Sequence, residues 1–217
     1  MSSTIISLSR GNSRELPEAF REDDVRYAES LVEYFLERLT TRGEYVLDPF
    51  AGYGTTLEVA ERMERVPFGV ELDSDRVAYA RTLLATPSRL VHGDSRQLLE
   101  IDLPRFHLSL TSPPYMCRSN HPEDPLSAYQ EQGAGYREYL CGLGSIYRQV
   151  REFLLPGAWV VVEVSNLRSN DEVTPLAWDV AAELSAIFGF RGEVIIKWDT
   201  PAYGYDHSYC LLFEHSR

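Results

Sequence analysis

Long apolar runs are absent from this sequence of 217 residues. No stretch approaches the roughly 20 apolar residues that a membrane-spanning helix needs. The first ten residues also lack the basic start and the apolar stretch that together mark a signal peptide. The sequence therefore predicts a cytoplasmic protein that does not associate with membranes.

Cysteine is scarce as well, with only Cys117, Cys141 and Cys210 in the whole chain. These three are widely scattered, cannot pair off completely and form no Cys-x-x-Cys spacing. The five histidines include no pair spaced by four residues and no carboxylate-flanked cluster. We therefore predict that the protein has no metal site.

Positive charge is also in short supply. The chain has 21 Lys and Arg against 33 Asp and Glu, which gives a formal net charge of −12. Lys and Arg make the phosphate contacts of nucleic-acid-binding proteins, so this balance disfavours a broad electrostatic surface for a polynucleotide. Any polynucleotide partner must meet a local basic strip.

The sequence is rich in short β-branched or aromatic runs that alternate with helical periodicity, a pattern typical of a mostly parallel sheet with helices on both faces. The predicted parallel strands are 44–47, 67–71, 89–92, 106–110 and 158–164. Near the end, 193–198 and 208–213 are separated by a loop too short for a helix, and they should form an antiparallel hairpin at the sheet edge. We predict one α/β domain over residues 1–217 with a mostly parallel seven-stranded sheet.

The first predicted strand runs into a glycine-containing turn that reads D-P-F-A-G-Y-G-T-T over residues 48–56. Glycines let the backbone approach a ligand closely, and the free N–H groups of the following helix favour a carboxylate or a phosphate. The second strand ends in Glu71, Leu72 and Asp73, where an acidic side chain can accept both hydroxyls of a ribose. This combination predicts a nucleotide-like cofactor.

The residues around the turn distinguish between cofactors. A dinucleotide site would need a third glycine near the position of Thr56, and Asp48 would repel a pyrophosphate. S-adenosylmethionine fits better, because its ammonium suits Asp48, its carboxylate the helix N-terminus and its ribose Glu71. The third strand ends in G-D-S, where Asp94 can accept a hydrogen bond from the adenine amino group or cap the next helix, and the two roles are compatible with the same geometry. Both interpretations of Asp94 stay open.

Residues 112–115 read S-P-P-Y directly after the fourth predicted strand. Two prolines make a stiff corner that displays carbonyl oxygens and lacks N–H donors, and alone it would be read as a strand terminator. Together, D-P-F-x-G-x-G-T-T, the acidic strand end, G-D-S and S-P-P-Y resemble the amino-methylating DNA methyltransferases, which methylate N4 of cytosine or N6 of adenine. The cofactor turn precedes S-P-P-Y, as in the gamma-type motif order of this family.

The resemblance implies a Rossmann-like methyltransferase fold, S-adenosyl-L-methionine as cofactor and DNA as partner, with RNA not excluded. It implies that the N-terminal segment 1–40, in which 25–32 is similar to the family, covers the cofactor. No separate target-recognition domain follows the last strand, so a homodimer or a separate recognition partner is a further expectation. The implied cofactor-binding residues are Tyr27, Asp48, Pro49, Phe50, Gly52, Gly54, Thr55, Thr56, Glu71, Leu72, Asp94 and Ser95.

The resemblance also implies that the catalytic residues are Ser112, Pro113, Pro114 and Tyr115. An exocyclic amino nitrogen is a poor nucleophile because its lone pair is delocalised into the ring. The Ser112 hydroxyl and the Pro113 carbonyl can each accept one amino hydrogen and hold the nitrogen in a more tetrahedral geometry. Tyr115 would stack on the target base after the base has flipped out of a duplex.

The segment 116–135 is polar, rich in Pro and Gly and too long for an ordinary connection, which indicates either a functional loop, here a candidate substrate loop, or a disordered one. Arg118, Asn120 and His121 are its candidate DNA contacts, although each is equally compatible with a solvated loop. A serine at the head of the motif is commoner in the cytosine-N4 enzymes, so the resemblance favours cytosine N4 as the target. The alternatives are an adenine-N6 DNA methyltransferase, an RNA base methyltransferase and a catalytically idle cofactor-binding module.

Overall fold

The computed structural model describes residues 4–21, 24, 26–118, 123–133, 135–169, 172–202 and 205–216. The strands are β1 (Ile5–Leu8), β2 (Tyr45–Asp48), β3 (Val66–Glu71), β4 (Leu90–His92), β5 (Phe106–Thr111), β6 (Leu154–Val164), β7 (Leu167–Ser169), β8 (Glu172–Thr174), β9 (Gly189–Ala202) and β10 (Tyr205–Glu214). The helices are α1 (Glu29–Leu39), α2 (Thr55–Arg62), α3 (Ser74–Arg81), α4 (Tyr136–Glu152) and α5 (Leu176–Ser185).

One sheet organises the domain, with the strand order β1-β9-β10-β6-β5-β2-β3-β4. The neighbours from β6 to β4 are parallel, whereas β10 is antiparallel to both β6 and β9. A small antiparallel pair, β7 and β8, lies outside this sheet. The predicted α/β class, the mostly parallel sheet and the antiparallel C-terminal hairpin are confirmed.

The sheet has eight strands where the sequence predicted seven, because the N-terminal β1 pairs in parallel with β9. The register runs from Ile5 opposite Ile195 to Leu8 opposite Trp198. The hairpin was predicted at the sheet edge, but it lies one strand inside the edge. The reason is that the backbone of β1 pairs with the edge of β9 while Ile6 and Leu8 pack against the apolar layer of α1 and α2, so part of the segment 1–40 belongs to the sheet.

Helices cover both faces of the sheet and produce two main apolar layers. Helices α4 and α5 pack on one face, and α1 and α2 pack on the other. Successive residues of β6 point to opposite layers, since Val160 and Val162 join the first and Val161 joins the second. Burial on both faces explains why the parallel strands are continuous apolar runs. No described helix is long and apolar enough to cross a membrane.

The start of β6 differs from the prediction. The predicted strand begins at Ala158, but β6 begins at Leu154 and contains Pro156 and Gly157. Helix α4 still ends just before them, at Glu152. The Gly157 N–H donates to the carbonyl of His215 at 2.8 Å, so the strand continues through the two residues that punctuate the sequence.

Candidate functional site

A cleft of about 980 Å³ follows the carboxyl ends of the parallel strands. This is the edge at which ligands bind in open α/β sheets. Of the predicted cofactor-binding residues, eight line the cleft: Tyr27, Pro49, Phe50, Gly52, Thr55, Glu71, Leu72 and Ser95. The predicted catalytic residues Ser112, Pro113, Pro114 and Tyr115 line it as well. The fold thus brings both predicted groups into one space.

Glu71 at the end of β3 accepts a hydrogen bond from the turn between β2 and α2. The N–H of Gly52 donates to Oε2 of Glu71 at 2.8 Å, and the N–H of Asp73 donates to Oε1 at 2.8 Å. Glu71 is 8% exposed and faces the cleft. Because an ionised carboxylate offers about four acceptor positions, these two backbone donors leave capacity for two hydroxyl groups of a ligand.

The two glycines of the turn have different tasks. Both adopt the left-handed conformation, with φ of +51° at Gly52 and +84° at Gly54. A side chain at Gly52 would find its nearest protein atom 4.0 Å away and would extend into the cleft, whereas one at Gly54 would press on Ala80 at 3.1 Å. Gly52 therefore shapes the cleft. Gly54, predicted to bind the cofactor, lies outside its lining and instead lets α2 start close to α3.

Asp48 lies beneath the cleft and is not part of its lining. It is 0% exposed and accepts hydrogen bonds from the Thr111 hydroxyl at 2.6 Å, the Thr56 hydroxyl at 2.5 Å and the Phe50 N–H at 3.0 Å. The predicted contact with a ligand ammonium does not agree with this position, because protein donors already surround the carboxylate. Thr56, also predicted to bind the cofactor, is fully buried beside it. Their hydrogen bonds continue to the cleft through Tyr27, whose hydroxyl contacts that of Thr56.

Burial raises the pKa of Asp48 from 3.8 to about 6, against the opposing effect of the hydrogen bonds from Thr111 and Thr56. The folded protein holds this proton to a higher pH than the unfolded chain does. Ionisation of Asp48 therefore lowers stability as pH rises from about 4 to about 6, and the loss is then complete. A shift of this size corresponds to about 3 kcal/mol at most.

We expect Asp48→Asn to remove this pH dependence. In urea unfolding at pH 4.5 and pH 7.5, wild type should lose about 2 kcal/mol of unfolding free energy relative to the variant on going to the higher pH, because part of the full loss has already occurred below pH 4.5. The control is Asp102→Asn, which changes an exposed aspartate and should follow wild type at both values. If the unfolding free energies of wild type and Asp48→Asn change equally between the two pH values, the raised pKa of Asp48 is wrong.

At the end of β4, Asp94 has the helix-capping role, and its contact with the adenine amino group stays a prediction. Its carboxylate caps the following helical turn by accepting from the Arg96 N–H at 2.8 Å, and it also pairs with the Arg96 guanidinium at 2.8 Å. Asp94 is absent from the cleft lining, which here consists of Gly93 and Ser95. The Ser95 hydroxyl donates to the carbonyl of Pro49. Asp94 is thus a helix cap, and Ser95 links the end of β4 to the glycine turn.

The S-P-P-Y corner leaves β5 and packs against the end of β6. The Ser112 hydroxyl donates to Oε2 of Glu163 at 2.8 Å, and the Tyr115 hydroxyl donates to the same oxygen at 2.7 Å. The Pro114 carbonyl accepts from the Tyr139 hydroxyl at 2.8 Å. No hydrogen bond to the Pro113 carbonyl occurs within the described ranges. One carbonyl of the corner is therefore engaged by the protein, and the other is available to a ligand.

Glu163 is a site residue that the sequence prediction missed. It is 6% exposed, lines the cleft and stands second from the end of β6. A signal for it was present, since an acidic residue interrupts an apolar run at the end of a predicted parallel strand. The carboxyl ends of such strands meet at one edge, so this residue had to lie near S-P-P-Y.

The predicted substrate loop has local structure where it is described. Its short helical turn Pro125–Ser127 is capped by Asp124, and Leu126 and Tyr129 line the cleft. Arg118 lies outside the cleft lining, because its guanidinium pairs with Asp179 at 2.7 Å and lies over the Tyr136 ring. Its predicted DNA contact therefore competes with an ion pair. The other two predicted contacts, Asn120 and His121, lie outside the described residues.

The glycine turn and Glu71 fall within the part of the chain that matches a known family. The family model described as DNA methylase, which covers N6 and N4 methyltransferases, matches residues 11–82. The predicted resemblance to the amino-methylating DNA methyltransferases is confirmed. The chain is also 43% identical over 56 residues to the type II methyltransferase M2.DpnII of Streptococcus pneumoniae and 35% identical over 60 residues to M.BglII of Bacillus subtilis. These alignments cover 24% and 28% of this chain and only 21% and 17% of the relatives.

Solved structures of methyltransferases resemble almost the whole domain. TrmN from Thermus thermophilus has a TM-score of 0.59 and 21% identity, over 90% of this chain and 52% of that one. The 16S rRNA N2 G1207 methyltransferase RsmC of T. thermophilus, solved with AdoMet and guanosine, has a TM-score of 0.57 and 23% identity, over 91% of this chain and 45% of that one. The fold is the Rossmann-like fold of S-adenosylmethionine-dependent methyltransferases, as predicted. S-adenosyl-L-methionine is the cofactor of this fold and of the DNA methylase family.

Proposed function

We propose that this protein methylates an exocyclic amino group of a nucleobase in DNA, with cytosine N4 as the preferred target. The observation that carries the proposal is that the S-P-P-Y corner, the glycine turn at Gly52 and the carboxylate of Glu71 all line one cleft. Methyl transfer needs a donor site and an acceptor site within contact of each other. A single continuous cleft with these two groups at its wall provides that arrangement.

The cleft residues fit S-adenosyl-L-methionine. Glu71 has acceptor capacity for the ribose hydroxyls, and the absence of a side chain at Gly52 leaves room for the ligand beside the turn. Tyr27, Phe50 and Leu72 would supply apolar contacts. When bound, the cofactor supplies an electrophilic methyl group on a sulfonium.

The corner residues would prepare the target nitrogen. Ser112 gives its only proton to Glu163, so the lone pairs of its Oγ are available to accept one amino hydrogen. The Pro113 carbonyl would accept the other. The Tyr115 ring is oriented by the bond from its hydroxyl to Glu163 and would stack on the base, which has to leave a duplex to reach it.

DNA is favoured over RNA because the matched family and the curated relatives are DNA methylases and type II methyltransferases. The preference for cytosine N4 over adenine N6 rests on Ser112 at the head of the motif. An RNA base is the second candidate, since similar structures include an rRNA methyltransferase and the net charge is −12. Cytoplasmic location, a homodimer and a separate recognition partner stay predictions.

Nucleoside mass spectrometry of DNA and RNA from cells that express the protein tests the proposal. We expect N4-methylcytosine in DNA from cells with wild type and little or none with Gly52→Val, which serves as the negative control. N6-methyladenine in DNA would show that adenine N6 is the target and not cytosine N4. A methylated base found only in RNA would show that the substrate is RNA and not DNA. If neither DNA nor RNA contains a new methylated nucleoside, the proposal is wrong and the protein is a catalytically idle cofactor-binding module.

A further inference from the structure

Glu163 is a buried carboxylate that lies against the S-P-P-Y corner. Its position follows from the sheet, because Val162 of β6 lies opposite Thr111 of β5, and the next residue on each strand is Glu163 and Ser112. A single oxygen, Oε2, accepts from both Ser112 and Tyr115. Within the described part of the chain, no cation forms an ion pair with Glu163.

Two titratable groups near Glu163, Cys210 and Tyr27, carry no charge near neutral pH. Cys210 lies opposite it on β10, and burial together with the Glu163 charge raises the pKa of that thiol well above its usual value. Burial and the charges of Asp48 and Glu163 likewise raise the pKa of the Tyr27 phenol. An unpaired buried carboxylate costs stability. Because Glu163 contacts Ser112 and Tyr115, this unfavourable burial is explained by a role in the reaction.

We propose that Glu163 is the positioning residue of the corner, which keeps Ser112 a hydrogen-bond acceptor and receives, through Ser112, the proton released by the target nitrogen. This inference rests on the proposed function and deepens it. The Ser112 and Tyr115 hydroxyls both donate to Oε2, and they lie 3.2 Å from each other. With its proton engaged by Glu163, Ser112 keeps lone pairs that can accept an amino hydrogen.

The proton transfer balances without a further reagent. As the nitrogen gains the methyl group it becomes cationic, and one of its N–H bonds then breaks while the electron pair of that bond stays on nitrogen. Ser112 Oγ takes this proton and releases its own to Oε2 of Glu163, which becomes a neutral carboxylic acid. Exchange with water through the open cleft returns Glu163 to the carboxylate.

The test compares wild type, Glu163→Gln and the control Glu193→Gln, which removes an acidic group from β9, outside the cleft lining. The glutamine keeps the size of the side chain but cannot take a proton, and its NH₂ competes for the Ser112 lone pairs. We expect kcat to fall about tenfold with a smaller change in KM. A fall in kcat of wild type at acidic pH should disappear in Glu163→Gln and persist in the control.

A binding readout needs no turnover. Wild type loaded with S-adenosylhomocysteine should bind a single-stranded oligonucleotide containing cytosine about tenfold more tightly than one with 2-pyrimidinone, which lacks the amino group. Glu163→Gln should lose this preference, and cofactor affinity by calorimetry should stay unchanged. The same comparison with adenine and purine covers the alternative target.

The outcomes separate the inference from the proposed function. If wild type transfers methyl groups and Glu163→Gln has the same kcat, pH profile and amino preference, the inference is wrong and the function stands. If wild type transfers no methyl group but shows an amino preference that depends on Glu163, the positioning role stands and the proposed function is wrong. If wild type shows neither transfer nor preference, both are wrong.

Discussion

Gly52→Val is expected to abolish S-adenosyl-L-methionine binding while the domain stays folded. A side chain at this position meets no protein atom closer than the Phe50 carbonyl at 4.0 Å, so it extends into the cleft where the ligand would lie. The substitution also disturbs the N–H that fixes Glu71. We expect the affinity to fall by at least about a hundredfold, which corresponds to about 2.7 kcal/mol. Isothermal titration calorimetry measures the effect.

The matched control is Gly43→Val. Gly43 also has a left-handed backbone, with φ of +82°, and a side chain there would meet no atom within 4 Å. A valine in this conformation costs on the order of 1–2 kcal/mol at either position. The two variants should therefore lose similar thermal stability, and only Gly52→Val should lose the ligand. Equal affinity in both variants would remove Gly52 from the cofactor site.

Ser112→Ala is expected to reduce the methylation rate by roughly ten- to a hundredfold without changing cofactor affinity. The lost acceptor matters mainly as charge develops on the target nitrogen, and one such charge-assisted hydrogen bond contributes about 1.5–3 kcal/mol. The alanine also leaves the buried Glu163 with one donor fewer. Single-turnover kinetics with bound substrate would isolate this effect from product release.

A serine away from the cleft provides the control for this measurement. Ser185 on α5 is exposed, and its hydroxyl donates only within its own helix, to the Ala181 carbonyl at 2.6 Å. Ser185→Ala should keep the full rate. If Ser112→Ala also keeps it, the serine belongs to the turn geometry and not to the chemistry. In both variants the methylated base should be that of wild type, because pocket shape and the ring edge select it.

Local sequence patterns predicted the parts of the molecule that depend on neighbouring residues. The apolar runs of the strands, the glycine turn and the stiff S-P-P-Y corner are each properties of a few consecutive residues. Because the carboxyl ends of parallel strands meet at one edge of the sheet, the turn and the corner lie close together. The order of motifs along the chain added the family resemblance. The same local logic misplaced the start of β6, since Pro156 and Gly157 are punctuating residues that a strand beginning at Leu154 accommodates.

Contacts between distant residues were beyond the reach of these patterns. Ser112 and Glu163 are separated by 51 positions, and Asp48 and Thr111 by 63. Whether an aspartate faces a ligand or is surrounded by protein donors depends on such partners, which is why Asp48 was predicted in the cleft wall. Asp94 illustrates the opposite case, because its helix-capping role is local and was one of the two interpretations.

The pairing of β1 with β9 has a consequence for the behaviour of many copies in solution. Strand β9 is 14 residues long, and on its outer side the four residues of β1 occupy the backbone groups of Ile195 to Trp198. An uncovered edge of this length offers a row of N–H and C=O groups on which a second chain can add a strand and begin an aggregate. The β1 segment closes part of that template and, being short itself, presents little edge in return. It therefore helps to keep the molecules dispersed at high concentration.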